Sequence, residues 1–466
     1  MSISSQHIRR RELLRAGGLS WFGLTLPEML SRLEAGDPLK AEPLSTFGRA
    51  KACILLFMWG GPAHQDTLDL KPHAPVEIRG EFSPIATNVP GIQIGEHFPQ
   101  LAQRMDRLCL IRSMTHRDVN HLTATHFLLT GQPPPPSGNL DDDWPSLGSV
   151  MSQLGRGRAP LPPFVSMRPT VPGDAPRFVE QSHGQFSGWL SATHNPLTID
   201  ADPNREDYSV GDFELTNGIT VDRLDDRATL LQSLNDQRRT LDRQAATVVD
   251  KNYQRAFELL DSAIGQDAFD VSREPDEVRE RYGRNAHGQT VLQARRLVER
   301  GVPLVTVFWP NDGIKNVSVY WDTHSRNFID LKDRLMPVAD QAFTALLDDL
   351  ENRGMLDETL VVWSGEFGRT PRVGQRNSDA GAGADGRDHW PNCFSTLLAG
   401  GGIRTGIVHG SSDRHAAYPA SDPVQPVDLM ATIHHLLGLP PDLTLRDPQG
   451  RPLVVCPGQI VRGILC

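Results

Sequence analysis

Residues 52–59 read A-C-I-L-L-F-M-W, an unbroken apolar run that stops at Gly60-Gly61-Pro62. A strand that is apolar at every position has both faces covered, and that condition belongs to parallel sheets flanked by helices. Further short β-rich runs lie at 108–113, 163–167, 303–309, 359–363 and 394–399. Between them, Val291, Ala294, Leu297 and Val298 mark one helical stripe closed by Gly301, and Leu335–Leu350 carry a stronger one that stops at Gly354. Helix and strand thus alternate from 287 to 399. That order predicts right-handed crossovers and an α/β fold, a three-layer α/β/α sandwich with a mostly parallel central sheet.

Other segments are placed around this frame. Residues 122–129 read as a helix ended by Gly131 and the following Pro133–Pro136, and helices are expected at 275–282 and 428–437. Residues 222–262 also read as helical, with Tyr253, Ala256, Phe257 and Leu260 on one face. Residues 169–221 show no period and are expected to form an insertion or long loop.

The N-terminus reads as an address. Arg10-Arg11-Glu12-Leu13-Leu14 precedes a weakly apolar stretch from Ala16 to Leu26, the layout of a twin-arginine-like export signal. An amphipathic N-terminal helix is the competing reading. The expected organisation is residues 1–45 as export signal and linker, and 46–466 as one domain interrupted near 169–221, in a periplasmic or cell-surface protein. No run of 18 apolar residues exists, so no stable membrane span is expected. Lys+Arg is 47 against Asp+Glu 57, a net −10 with no basic stripe, which disfavours nucleic acid as a partner. The 5 cysteines form no C-x-x-C pair, and Cys53, Cys109 and Cys393 sit in apolar runs as small buried residues.

Histidine is the informative excess, 16 against only 5 Tyr. In open α/β sheets ligands gather beyond the carboxyl ends of the strands. After the first strand come His64, Asp66 and Asp69. After the second come His116, Asp118, His121 and His126. The run at 303–309 is followed by Asp322 and His324, that at 359–363 by Glu366 and Arg369, and a Gly-rich loop then supplies Arg387, Asp388 and His389. Imidazole and carboxylate together suit Zn, Mn or Fe, and a carboxylate-rich subset would suit Mg or Ca. Arg369 and Arg387 are candidates to clamp a substrate oxyanion. Any one Asp-x-His is more often a turn or cap than a ligand, so the weight rests on recurrence after strand ends. His73, His97, His183, His194 and His434 read as ordinary packed or exposed residues.

Longer motifs carry a family resemblance. W-G-G-P-A-H-Q-D-T-L-D-L-K-P (59–72), E-I-R-G-E-F-S-P-I-A-T-N-V-P-G-I (77–92), D-W-P-S-L-G-S (143–149), W-D-T-H (321–324), G-E-F-G-R-T-P (365–371) and G-R-D-H-W-P (386–391) resemble the DUF1501 proteins over nearly the whole chain. That family is similar to the alkaline phosphatase and sulfatase superfamily. The resemblance implies an alkaline phosphatase-like fold and a metal-dependent hydrolase of phosphate or sulfate esters, small or polysaccharide, with other exported proteins as possible partners. It points to Asp322, His324, Glu366 and His389 as metal ligands, with Phe367 where the superfamily has a His, and with Asp388 and Asp66 supplying replacement carboxylates. The superfamily nucleophile falls nine or ten residues before the Gly of a Thr-Gly pair. Counting back from Gly131 reaches Leu122 and His121, neither a hydroxyl. Three options stay open: Thr123 in a shifted turn, direct attack by metal-bound water, or lost turnover, leaving the chain a silent metal-binding scaffold. His121 is then a ligand or a general acid/base.

Overall fold

Eight strands form the central sheet of the computed structural model, which describes residues 45–157, 160–170, 178–208, 267–311, 313–314 and 317–466. In chain order they are β1 (Ala52–Phe57), β2 (Cys109–Met114), β3 (Val165–Met167), β4 (Leu197–Ile199), β5 (Leu304–Phe308), β6 (Thr359–Ser364), β7 (Phe394–Ala399) and β8 (Ile407–His409). Across the sheet they run β8-β2-β7-β6-β1-β5-β3-β4. The apolar β1 lies in the middle, parallel to β5 and β6, with Leu56 level with Val307 and Trp363. Its continuous hydrophobicity follows from that position.

Helices cover both faces. Leu56 and Trp363, register partners in a parallel pair, point to one side, where the Trp363 ring meets Phe98 and Trp321 edge-on at 6.4 and 5.8 Å. On that side the helix Met336–Asn352 packs against Ala286–Glu299 and Asp276–Tyr282, and its Asp340 carboxylate accepts the backbone N–H of Gln100 and Leu101 at 2.9 and 2.7 Å. Cys53 and Leu55 point the other way. They share a small apolar cavity with Leu129 of the helix His121–Thr130 and with Met430 and Ile433 of the helix Pro426–Leu436. We label these helices in chain order α1 (His121–Thr130), α2 (Asp276–Tyr282), α3 (Ala286–Glu299), α4 (Met336–Asn352) and α5 (Pro426–Leu436). The architecture is the expected three-layer α/β/α sandwich.

Two expectations need correction. The crossover series does not extend to β7, which runs antiparallel to both β6 and β2. Periodicity reports burial and not direction, so the run at 394–399 gave no hint of reversal. The reversal keeps the whole segment between β6 and β7 at the carboxyl edge of the sheet. Within 169–221, the described residues also include a strand where a long loop was expected, since Leu197–Ile199 pairs in parallel with β3 and closes one edge of the sheet. Three residues are too few to show a period. The helix expected at 222–262 and the export signal lie outside the described residues.

Candidate metal centre

The loops at the carboxyl edge meet at one place. β1 ends in the turn Gly60-Gly61, and Trp321 donates its N–H to the Trp59 carbonyl at 3.0 Å, drawing the loop after β5 across the end of β1. The approach is close enough that a Cβ on Gly60, whose φ is +106°, would lie 2.4 Å from the Asp322 nitrogen. Only glycine fits there. The Gly-rich loop before β7 is seated as tightly, and a Cβ on Gly386 would lie 1.8 Å from the His324 carbonyl oxygen. Two glycines of the sequence motifs thus bring Asp322 and His324 into position.

Four side chains converge: His121, Asp322, His324 and His389 offer ligand atoms that all lie within 4.8 Å of one another. The Nε2 atoms of His324, His121 and His389 lie 2.9, 3.2 and 3.3 Å from Asp322 Oδ1. His324 Nε2 and His389 Nε2 are 2.8 Å apart. The other ring nitrogens explain why. His389 Nδ1 donates to the Val119 carbonyl at 2.8 Å, His324 Nδ1 to the Gly381 carbonyl, and His121 Nδ1 to Glu366 Oε1 at 2.5 Å. Carbonyl and carboxylate oxygens only accept, so each Nδ1 carries a proton and each Nε2 is turned toward Asp322, where it presents a lone pair whenever the ring holds no second proton. Two Nε2 atoms facing each other at 2.8 Å need a proton or a metal cation between or beside them. His121 Nε2 is moreover buried without a hydrogen-bond partner, its 3.2 Å approach to Asp322 meeting the ion-pair distance but not hydrogen-bond geometry.

Titration reflects the same crowding. Burial pushes Asp322 upward, but His121 and Arg369 outweigh it and hold the carboxyl well below the usual range. For His121, burial lowers the pKa, and Asp322 with Glu366 overcomes this to push it up to about 9. Burial, with His121 and Arg369 nearby, pushes His389 down to about 4. A divalent cation would take the place that the proton on His121 fills here.

The remaining expected site residues hold the cluster or stand apart from it. Glu366 is fully buried, touches His121 through Oε1, accepts the Gly60 N–H at 2.8 Å, and leaves Oε2 without a partner. Asp388 accepts the backbone N–H of Asn377, Ser378 and His389 at 2.6–2.8 Å, so it pins the Gly-rich loop. Asp66 and Arg387 form a fully buried two-point ion pair at 2.7 and 2.9 Å, and every N–H of that guanidinium has an acceptor in Asp66, Ile78, Thr370 or Pro371. No donor is left on Arg387 for an oxyanion, and Asp66 is not among the converging four. Arg369 is likewise buried, donating to the Gly60 and Gly61 carbonyls and to Asp322 Oδ1 at 2.5 Å, so it braces the turn and the carboxylate. Thr123 is half-buried in the first turn of α1, its hydroxyl 3.4 Å from the Asn120 carbonyl. His121, the first residue of α1, occupies the register counted back from Gly131.

The other histidines after strand ends are packing residues. His64 donates Nε2 to the Ala416 carbonyl and burial pushes it down to about 4; His116 touches the Glu366 carbonyl and His126 the Gln132 carbonyl. Sequence reasoning missed Trp59, which stacks on His121 with ring centroids 4.4 Å apart, and the Val119 and Gly381 carbonyls. The first was hidden as the last residue of an apolar run, and backbone acceptors leave no mark in a sequence.

A family model described as "Protein of unknown function (DUF1501)" matches residues 50–465. Among curated proteins none matches. Solved structures similar to the chain include the lipoteichoic acid synthase LtaP from Listeria monocytogenes, with 11% identity over 86% of this chain and 75% of that one and a TM-score of 0.39. The PsFucS1 sulfatase from Pseudoalteromonas sp. follows, with 13% identity over 89% and 71% and a TM-score of 0.38. The C-terminal periplasmic domain of EcEptC from Escherichia coli, in complex with Zn, matches with 10% identity over 85% and 84% and a TM-score of 0.36.

Proposed function

This chain belongs to the DUF1501 family of proteins of unknown function, and we propose that it is a metal-dependent hydrolase of phosphate or sulfate esters centred on His121, Asp322, His324 and His389. The observation that carries the reading is the convergence of three imidazole Nε2 atoms on Asp322 Oδ1, two of them 2.8 Å from each other, an arrangement a bound cation would stabilise. Three imidazole nitrogens and one carboxylate oxygen suit a transition metal such as Zn, Mn or Fe, and suit Mg or Ca poorly, since those prefer all-oxygen shells. Four protein ligands would close a tetrahedral zinc site, whereas a five- or six-coordinate ion keeps room for water and substrate.

When bound, such an ion supplies a water made acidic near neutral pH and polarises an ester oxygen. The chain's own residues do the rest. Glu366 holds the proton on His121 Nδ1, and the Val119 and Gly381 carbonyls do the same for His389 and His324, so all three rings keep a fixed tautomer. Arg369 holds Asp322 as a carboxylate. Trp59 and Phe367 close against His121, with centroids at 4.4 and 4.8 Å, and shield one flank from water. Asp322 and His324 keep about a fifth of their side-chain surface exposed, which is the route by which an ester reaches the centre.

The test is metal content and turnover together. Native protein should carry close to one transition-metal ion per chain by elemental analysis, and Asp322→Ala and His389→Ala should lose most of it. Unchanged metal in both variants would sink the assignment. Loaded protein should hydrolyse chromogenic phosphate or sulfate esters.

One observation favours a second reading, a catalytically silent metal-binding scaffold. Arg369 and Arg387 are both fully buried with their N–H groups turned to acceptors of the protein itself, and the Thr123 hydroxyl faces the Asn120 carbonyl at 3.4 Å. Metal confirmed bound, with silence across a panel of phosphate and sulfate mono- and diesters, would select it. Under either reading the Arg10-Arg11 segment supports export, with residues 1–45 as signal and linker and 46–466 as the working domain. No helix among the described residues is long and apolar enough to cross a membrane.

A further inference from the structure

A second feature lies on the same edge of the sheet. A cleft of about 540 Å³ opens between residues 70–75, which follow the short helix His64–Thr67 after β1, and the tip of a hairpin, Ser411–Ser412 with Pro419–Ser421, that follows β8. Lys71, His73, Arg414 and His415 line it, and no carboxylate does.

The charge there is positive although the whole chain is −10. Lys71 pairs with Asp69 at 2.9 Å, but Arg112 reaches the same carboxylate oxygen at 3.4 Å, so two cations share one anion. Arg414 is exposed and forms no ion pair among the described residues. Asp413 turns its carboxylate into its own loop, accepting the N–H of His415 and Ala417 at 2.9 Å each. The tip is also held rigid at a price. Ala416 has a φ of +53°, in the left-handed region that a residue with a Cβ rarely adopts. Beyond the bonds within the loop, two side chains from elsewhere in the fold hold it: His64 Nε2 donates to the Ala416 carbonyl at 2.8 Å, and Trp390 Nε1 to that of Ala417 at 2.6 Å. Trp390 is the neighbour of His389, so the loop bearing Arg414 is fastened to the strand that carries a residue of the candidate centre. Beside it Tyr418, 52% exposed, offers a ring to a sugar face.

We propose that this cleft is an anion subsite that takes a sulfate or phosphate group of an extended acidic polysaccharide while a second ester group of the same chain lies at the His121–Asp322–His324–His389 centre. The proposal deepens, and rests on, the ester-hydrolase reading. The cleft volume falls within the several-hundred-Å³ range typical of small-molecule sites, enough for about one or two sugar units. A nucleic acid would instead need a basic stripe interleaved with stacking aromatics.

The experiment measures binding of dextran sulfate to the full metal-loaded chain by calorimetry, with neutral dextran and a thymidine oligonucleotide as the comparison arms. Arg414→Glu should weaken dextran sulfate binding about tenfold or more, and His73→Ala several-fold. Both should turn over a small chromogenic ester within about twofold of the parent, because neither touches the centre. Dextran sulfate affinity that is unchanged in Arg414→Glu, or equal affinity for neutral dextran or the oligonucleotide, would overturn the subsite. Failure of the hydrolase reading looks different: Arg414-dependent binding persists while no ester is turned over.

Discussion

Glu366 shows how one side chain at this centre depends on its neighbours. Its Oε1 fixes His121, and its Oε2 is buried with nothing to accept from. Glu366→Gln keeps the shape but removes the charge that holds the Nδ1 proton. It should weaken metal binding about 10–100-fold, the usual effect of losing such a support, measured by competition with a chromophoric chelator. Gly60→Ala should be worse for folding than for any contact it removes. A Cβ 2.4 Å from the Asp322 nitrogen at φ +106° forces the ligand loop off β1. His287 gives a pH prediction away from the centre. Burial pushes it down to about 3, against an ordinary 6.5. Its folded pKa lies below the unfolded value, so the unfolded chain binds the extra proton. Stability should therefore fall as pH drops below 6.5, by about 1.4 kcal/mol per pH unit from this group, until pH reaches about 3. Urea unfolding between pH 7 and 5 checks this, with His287→Phe expected to flatten the slope.

At the scale of elements, the helical layer over β1 is joined by charge as well as by apolar packing. Arg295 on α3 is fully buried and pairs with Glu274 at 2.8 Å, with Glu299 at 2.7 Å and with Asp349 of α4 at 2.9 Å. Glu274 also pairs with Arg296, and Glu299 and Asp349 each pair with Arg353 at 2.8 Å, so removing Arg295 thins a buried network without leaving these carboxylates bare. Arg295→Ala should cost about 1–3 kcal/mol in a denaturant titration, from the lost packing of its stem and the weakened network. The helices themselves were legible in the sequence because their apolar stripes repeat every three to four residues. Strand positions were legible because burial on both faces makes them apolar throughout. The direction of β7 was not. Phe394–Ala399 is as apolar as β6, and only its hydrogen bonds to Trp363 and Val362 in antiparallel register set its sense.

For the molecule as a whole, the centre joins loops that follow β2, β5 and β6, with His121 and His389 268 residues apart (389 − 121). An ion bound there would cross-link them in the folded state only. Chelation should thus lower the melting temperature of the native chain by several degrees, in proportion to free metal, and leave His389→Ala unmoved. A chelator-insensitive native melting curve would count against a bound metal. The sequence by itself determined the layered α/β architecture, the edge on which chemistry gathers, and the presence of Asp322, His324 and His389 in that edge's loops. Those follow from local periodicity, from glycines at turns, and from residue types whose donor atoms suit a cation. Tertiary structure alone decided which polar residues share a point. His121 and Glu366 are 245 residues apart yet meet at 2.5 Å, while Asp66 and Arg387, equally plausible on paper, neutralise each other in the core. Whether a carboxylate faces a metal site or a guanidinium depends on which loop packs beside it, and a linear chain does not record that neighbour.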